Sequence, residues 1–409
     1  MTNNERISGA MLDPAANAAA VLLRLGFAIF ALVIPSAALM SRWVIVVLVP
    51  IGAVLIILAA LLRSDPARLS ERSFALLASA PGLSSLMLAI WAAISLAWTP
   101  IPTEAMEKLS KTLGVVILGF FAVIALPPRM RATNLHLITI GVALGATLIL
   151  VGSVSALAER PLLRFPAATP ERVTVLLTVL GWVGAAWMII KNRNRLAIAL
   201  IALVIAAIVL GPTRAALLPL VASLIALSIA WNNPEQAGRL IGYGFGGLIL
   251  SLPLLAGLGA VVGVEGMDRW WAMILADPQR IIAGRGFDAG NAARAAGLFT
   301  GDQPVSLVSD LWFELGLLGA GFFALVIVAT FRLSGRLGYE LAPAAIAAIS
   351  AAVTFAILDR AATQTWWFNG LAVFAIVLMS VERGRYRTVR PRAMLKSGSD
   401  GRTAGSDGL

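Results

Sequence analysis

The 409 residues contain no cysteine, so disulfides and cysteine-ligated metals are excluded. His136 is the single histidine, so no histidine cluster can build a metal site. Charge is scarce as well. Charged residues make up 13% of the chain, about half the usual share of a soluble domain. Acidic residues are the rarer sign, 21 against 32 basic ones, and the formal net charge is +11.

What fills the chain instead is apolar: 59% of residues are hydrophobic and the mean hydropathy is +0.89. Runs near twenty residues recur, long enough to cross a hydrocarbon core. The first is one of many, so it is expected to be a span and not a cleaved signal. The pattern predicts an all-α bundle of about twelve spans, near 18–36, 43–62, 73–97, 109–127, 134–154, 172–190, 196–211, 214–230, 240–262, 307–330, 341–359 and 364–380. The seventh and eighth are short and joined by "GPTR", a break at Gly211 and Pro212. Arg24, inside the first span, either snorkels or lines the interior.

Basic residues set the orientation. One set of alternate loops, with Arg6 and the tail after Ser380, holds nineteen; the other holds twelve. The richer set includes "PPRMR" and "KNRNR". The positive-inside rule makes it cytoplasmic, with both termini, and puts residues 98–108, 155–171 and 263–306 outside. Residues 1–380 then form one membrane domain with a larger outer loop at 263–306. Residues 381–409 form a basic, then Gly/Ser-rich tail suited to anionic headgroups. This sidedness accounts for the positive charge without nucleic acid.

Basic residues on the outer side run against that bias. Arg160, Arg164, Arg172, Arg214, Arg269, Arg280, Arg285, Arg294 and Arg360 all fall there. Arg214 follows the Gly-Pro break. If the next helix starts at that point, its free N–H groups and the guanidinium face one way, as a diphosphate site requires. An interfacial anchor is the other reading. In "DRWWAMILADPQRIIAGRGFDAG", Arg269 precedes Trp270 and Trp271, as on a short amphipathic helix at the outer leaflet. Gly284, Gly286 and Gly290 predict a tight loop with unusual backbone angles.

"VSLVSDLWFELGLLGA" opens the tenth span. Asp310 and Glu314, four apart, share one helix face near the outer end, as a structural ion pair or as a proton acceptor. Gly316 and Gly319 suit close helix packing. "SLAWTPIPTEAMEKLSK" places Trp98 at the interface and a charged helical start at Glu104, Glu107, Lys108 and Lys111. "DRAATQTWWFNG" repeats an arginine followed by paired tryptophans, Arg360, Trp366 and Trp367, which favours a shared outer cavity.

Together these segments resemble the O-antigen ligase and polymerase superfamily of bacterial polysaccharide assembly. "SLAWTPIPTEAMEKL" is similar to its Ser-x-x-Trp-Ser-x-x-Pro stretch, and "VLGPTRAALLPL" to its Thr-x-Ser-Arg-Gly stretch, with Arg214 at the family arginine. Thr213 and Ala215 stand at its usual serine and glycine. "DRWWAMILADPQRIIAGRGFDAG" is similar to its Arg-x-x-x-Trp segment with a Gly-x-Gly turn, opened by Arg269, and "WFELGLLGAGFFAL" to its Glu-x-Gly-x-x-Gly helix start. The resemblance covers about residues 70–380.

It implies a GT-C-like glycosyltransferase of the bacterial inner membrane, serving lipopolysaccharide or exopolysaccharide assembly. The donor is an undecaprenyl-diphosphate-linked glycan and the acceptor a saccharide or lipid-linked hydroxyl, with no cofactor or metal. Arg214 and Arg269 would clamp the diphosphate, with Arg285 third. In ligases a His-Asn-x-x-Leu pattern nine residues before the glutamate supplies the base; here Val305 and Ser306 stand there. Valine cannot take a proton, which leaves Asp310, then Glu314 or Asp288, or positioning alone. Ligase and polymerase both fit the arginines. A transporter of about twelve spans and a non-catalytic assembly protein are the rival classes. The transporter predicts mid-membrane charges and matched broken helices.

Overall fold

The computed structural model describes residues 14–41, 43–63, 66–159, 162–163, 165–166, 169–257, 273–274, 276–298 and 306–385. It is helical throughout, with no strand among the described residues. In chain order the helices are α1 Pro14–Ala37, α2 Val44–Leu61, α3 Pro66–Leu77, α4 Ala80–Trp98, α5 Pro102–Ala125, α6 Ala132–Leu157, α7 Thr169–Ile190, α8 Asn194–Val209, α9 Leu217–Ala230 and α10 Pro234–Gly257. Two short ones follow, α11 Pro278–Ala283 and α12 Ala289–Ala295, then α13 Leu307–Ser334, α14 Ala342–Leu358 and α15 Thr365–Gly384. Nine of the described helices are long and apolar enough to cross a membrane; α8, α9 and α14 are apolar but shorter. The chain is thus a multi-pass helical membrane bundle.

Apolar patterning decides which helices are central. α7 is apolar almost all round, and 89% of its span is buried. Alanine-rich α14 packs among α7, α9 and α13, since small side chains let backbones approach. On α4 only 17% of the span is buried, and Leu83, Met87, Ile90 and Ile94 face outward as a lipid-facing surface would.

Long-range polar contacts join segments that the charge pattern puts on one side. At the basic end, Arg63 donates to the Ala16 carbonyl (3.1 Å) and the Met130 N–H to the Arg383 carbonyl (3.2 Å). At the opposite end, Thr169 donates to the Leu39 carbonyl (3.1 Å), Arg172 to Gln364 (3.1 Å), and Thr174 and Thr213 are 3.3 Å apart.

Two boundaries differ from expectation. The third predicted span, 73–97, is interrupted: α3 is a separate amphipathic helix, and Ser79 caps α4 by accepting from the Gly82 N–H (3.3 Å). Hydropathy averages over such a cap. The fourth span begins at Pro102 and not near 109, because the charged start is already helical.

Candidate functional site

The site is built around a fault in α13. Gly316 sits inside that helix at φ 65° and ψ −160°, which breaks the hydrogen-bond ladder. A side chain there is strained, and its Cβ would lie 2.5 Å from the Ile282 carbonyl oxygen. The expectation of simple close packing at Gly316 therefore gives way to a backbone break. Three carbonyls beside the break take donors from elsewhere. Phe313 accepts from the Arg285 N–H (3.0 Å), Glu314 from the Gly286 N–H (2.9 Å), and Leu315 from Trp91 Nε1 (3.0 Å).

The loop after α11 threads between the fault and the end of α4. Gly284 and Gly286 have φ of 74° and 99°. The Phe287 N–H donates to Ser95 Oγ (3.1 Å), and Thr99 Oγ1 donates to the Phe287 carbonyl (2.7 Å). Gly290, expected to share the unusual geometry, is helical; its N–H donates to Glu314 Oε1 (3.3 Å).

A chain of charges follows. Lys108, on α5, pairs with Asp288, which also accepts from Asn291 Nδ2 (2.6 Å). Arg294 donates to Asn291 Oδ1 (2.8 Å) and grips Asp310 with both fork nitrogens, at 3.1 and 3.2 Å. Asp288, Asp310 and Glu314 are all buried, and the buried Nε of Arg294 has no hydrogen-bond partner among the described residues.

The two carboxylates of α13 thus differ in kind. Both oxygens of Asp310 are held in a bidentate pair, the geometry of a fixed structural bridge. Glu314 receives one backbone hydrogen bond, and among the described residues it forms no ion pair. Asp310, the residue expected first as proton acceptor, is thus engaged by Arg294, while Glu314 has no ion-pair partner among the described residues.

The predicted arginines are placed unequally. Arg285 is half-buried, donates to the Met273 carbonyl (2.6 Å) and stacks over Phe313 at 5.2 Å. Arg214 is exposed and donates to the Val209 carbonyl at the end of α8 (3.1 Å). Its helix does not begin at Arg214: α9 starts at Leu217, whose N–H is taken by the Arg214 carbonyl (3.0 Å). Among the described residues no hydrogen bond or ion pair joins Arg214 to the charge chain. Arg269, Trp270 and Trp271 lie outside the described residues, as do Arg160, Arg164 and Val305. Trp366 and Trp367 are buried against Phe355 at the start of α15. Arg172 stacks over Trp366 at 5.5 Å. His136 lies at the basic end and accepts from Trp187 Nε1 (3.3 Å).

Lys108, Asn291 and Arg294 are the participants that sequence reasoning did not assign. A signal existed for two of them: Asn291 and Arg294 follow Asp288 at steps of three, one face of a short helix. Among the described residues no group of three or more histidine or acidic side chains is placed to hold a metal ion. Comparison with protein-family models, with curated proteins and with solved structures finds no match to this chain.

Proposed function

We propose that the chain is a twelve-span glycosyltransferase of the O-antigen ligase and polymerase kind, seated in a bacterial inner membrane with both termini cytoplasmic. It would transfer glycan from an undecaprenyl-diphosphate donor to a sugar hydroxyl at the outer end. One observation carries the reading. Three of the four segments bearing the family resemblance, far apart in sequence, interlock around the fault at Gly316. Residues 95–108, 284–290 and 312–316 meet there through backbone hydrogen bonds and the Lys108–Asp288 ion pair.

In this reading the acceptor oxygen attacks the anomeric carbon, and the carbon–oxygen bond to the diphosphate breaks with its electron pair leaving on the diphosphate. The acceptor proton passes to Glu314. Arg214, Arg269 and Arg285 are the candidate partners of the leaving diphosphate, where negative charge grows. Arg285 would exchange its bond to the Met273 carbonyl for the phosphate oxygen. The transporter reading draws support from the broken α13. Its freed carbonyls, however, are already filled by Arg285, Gly286 and Trp91, so they are not left for a cation.

The test uses full-length protein in nanodiscs, with undecaprenyl-diphosphate glycans extracted from the source envelope and their candidate acceptors. Release of undecaprenyl diphosphate is followed. Glu314→Gln is expected to slow release by about 10²–10⁴ while donor binding persists. Wild-type protein that binds donor and never releases the diphosphate would favour the non-catalytic assembly role.

A further inference from the structure

The basic end of the bundle holds a feature that the transfer chemistry does not use. A cavity of about 310 Å³ lies among α1, α2, α3 and the end of α5. Leu23, Ala60, Leu69 and Leu126 give it apolar walls, and Arg63 and Arg72 are its charged lining. A third arginine is close by. Arg383 donates to the carbonyl of Leu126, itself a wall residue, and lies near enough to Arg72 for the two charges to repel.

Among the described residues these cations have no ion-pair partner. Arg63 spends one donor on the Ala16 carbonyl. Among the described residues no carboxylate lines the cavity, and none forms an ion pair with Arg63, Arg72 or Arg383. Three like charges around a partly apolar hollow repel one another, and an anion entering between them relieves that repulsion. A guanidinium forks onto phosphate oxygens better than any other side chain. The volume is at the low end for a small-molecule site, enough for a headgroup but not for a whole lipid. α3, which forms one wall, is amphipathic, and its Phe74 and Leu77 are exposed as on a helix lying in a membrane surface.

We propose that this cavity binds the phosphodiester headgroup of an anionic phospholipid from the leaflet at the basic end. Arg63 and Arg72 hold the phosphate, Arg383 adds long-range attraction, and the apolar wall takes the first carbons of the chains. The site does not depend on the transferase reading and lies at the other end of the bundle.

The experiment places full-length protein in nanodiscs of phosphatidylcholine, with or without phosphatidylglycerol, and reads bound lipid by native mass spectrometry and the thermal midpoint by tryptophan fluorescence. Wild type is expected to retain phosphatidylglycerol selectively and to unfold at a higher temperature with it. Arg63→Gln/Arg72→Gln should bind it about tenfold more weakly or worse. Arg63→Lys/Arg72→Lys, which keeps the charge and loses the fork, should retain part of the selectivity and guards against a variant that fails to fold. Wild type with no preference for phosphatidylglycerol overturns the proposal without any variant. So does a folded glutamine variant with wild-type selectivity. Inorganic phosphate that reproduces the whole thermal shift in phosphatidylcholine overturns the lipid as its source.

Discussion

At the end of the bundle that holds residues 284–294, cations meet carboxylates inside the protein: Lys108 with Asp288, and Arg294 with Asp310. At the basic end, Arg63, Arg72 and Arg383 gather around a cavity with no carboxylate among the described residues. The first arrangement spends its charges on fixing geometry. Each buried ion has lost its water, and only its partner and neighbouring hydrogen bonds offset that cost. The second leaves its charges without an ion-pair partner among the described residues. Arginine count alone therefore says little about anion binding; what matters is whether a carboxylate of the same chain has already taken the guanidinium.

The comparison assumes that the two ends face opposite sides of a membrane, and the chain's lack of cysteine makes that easy to break. Leu298 is exposed at the end that holds residues 284–294, and Tyr339 at the basic end. In intact cells Leu298→Cys is expected to react with a membrane-impermeant maleimide, and Tyr339→Cys only after lysis. The reverse pattern would invert the topology, and equal labelling of both would put the two ends on one side.

Next in size is the buried pair. Arg294 and Asp310 have side chains 16% and 12% exposed. Removing one partner strands the other charge, so Arg294→Leu should cost about 3–5 kcal/mol of stability. Arg294→Leu/Asp310→Leu should recover most of that loss, because no unpaired ion remains. Thermal unfolding of the two variants and the wild type measures the coupling. A double variant as unstable as the single would mean that the pair does not act as a unit. Gly316→Ala should come next, at about 2–3 kcal/mol, from a strained backbone and contact with the Ile282 carbonyl. A neutral outcome there would show that the fault in α13 is not required.

How much of this could be read in advance varies with range. The apolar runs located the spanning helices because hydrophobic length is a local property. Asp310 and Glu314 were placed on one face by the helical period alone. The difference between them was not legible, since it depends on Arg294 arriving from a separate short helix. The Lys108–Asp288 pair joins residues 180 apart, and nothing in either neighbourhood specifies the other. Gly316 was visible as a small residue in an apolar helix, but a packing glycine and a helix-breaking glycine look the same until a loop supplies donors to the freed carbonyls. For Trp366 and Trp367 the sequence shows paired tryptophans after an arginine, but not that Phe355 from α14 packs against both rings.

The smallest expected effect is at the basic end. Arg72→Gln removes a cation that has no ion-pair partner among the described residues, so no charge is stranded by its loss. It also removes repulsion on Arg383. Against that stands the lost packing of a long side chain along the apolar cavity wall. The two terms oppose each other and both are small, so in phosphatidylcholine nanodiscs Arg72→Gln should unfold within about 0.5 kcal/mol of wild type. Arg294→Leu, one arginine exchanged for another neutral residue at the opposite end, should lose several times as much under the same conditions. A large loss for Arg72→Gln without any anionic lipid present would mean that Arg72 has a structural partner within the chain. The contrast between committed and uncommitted arginines would then fail at its simplest point.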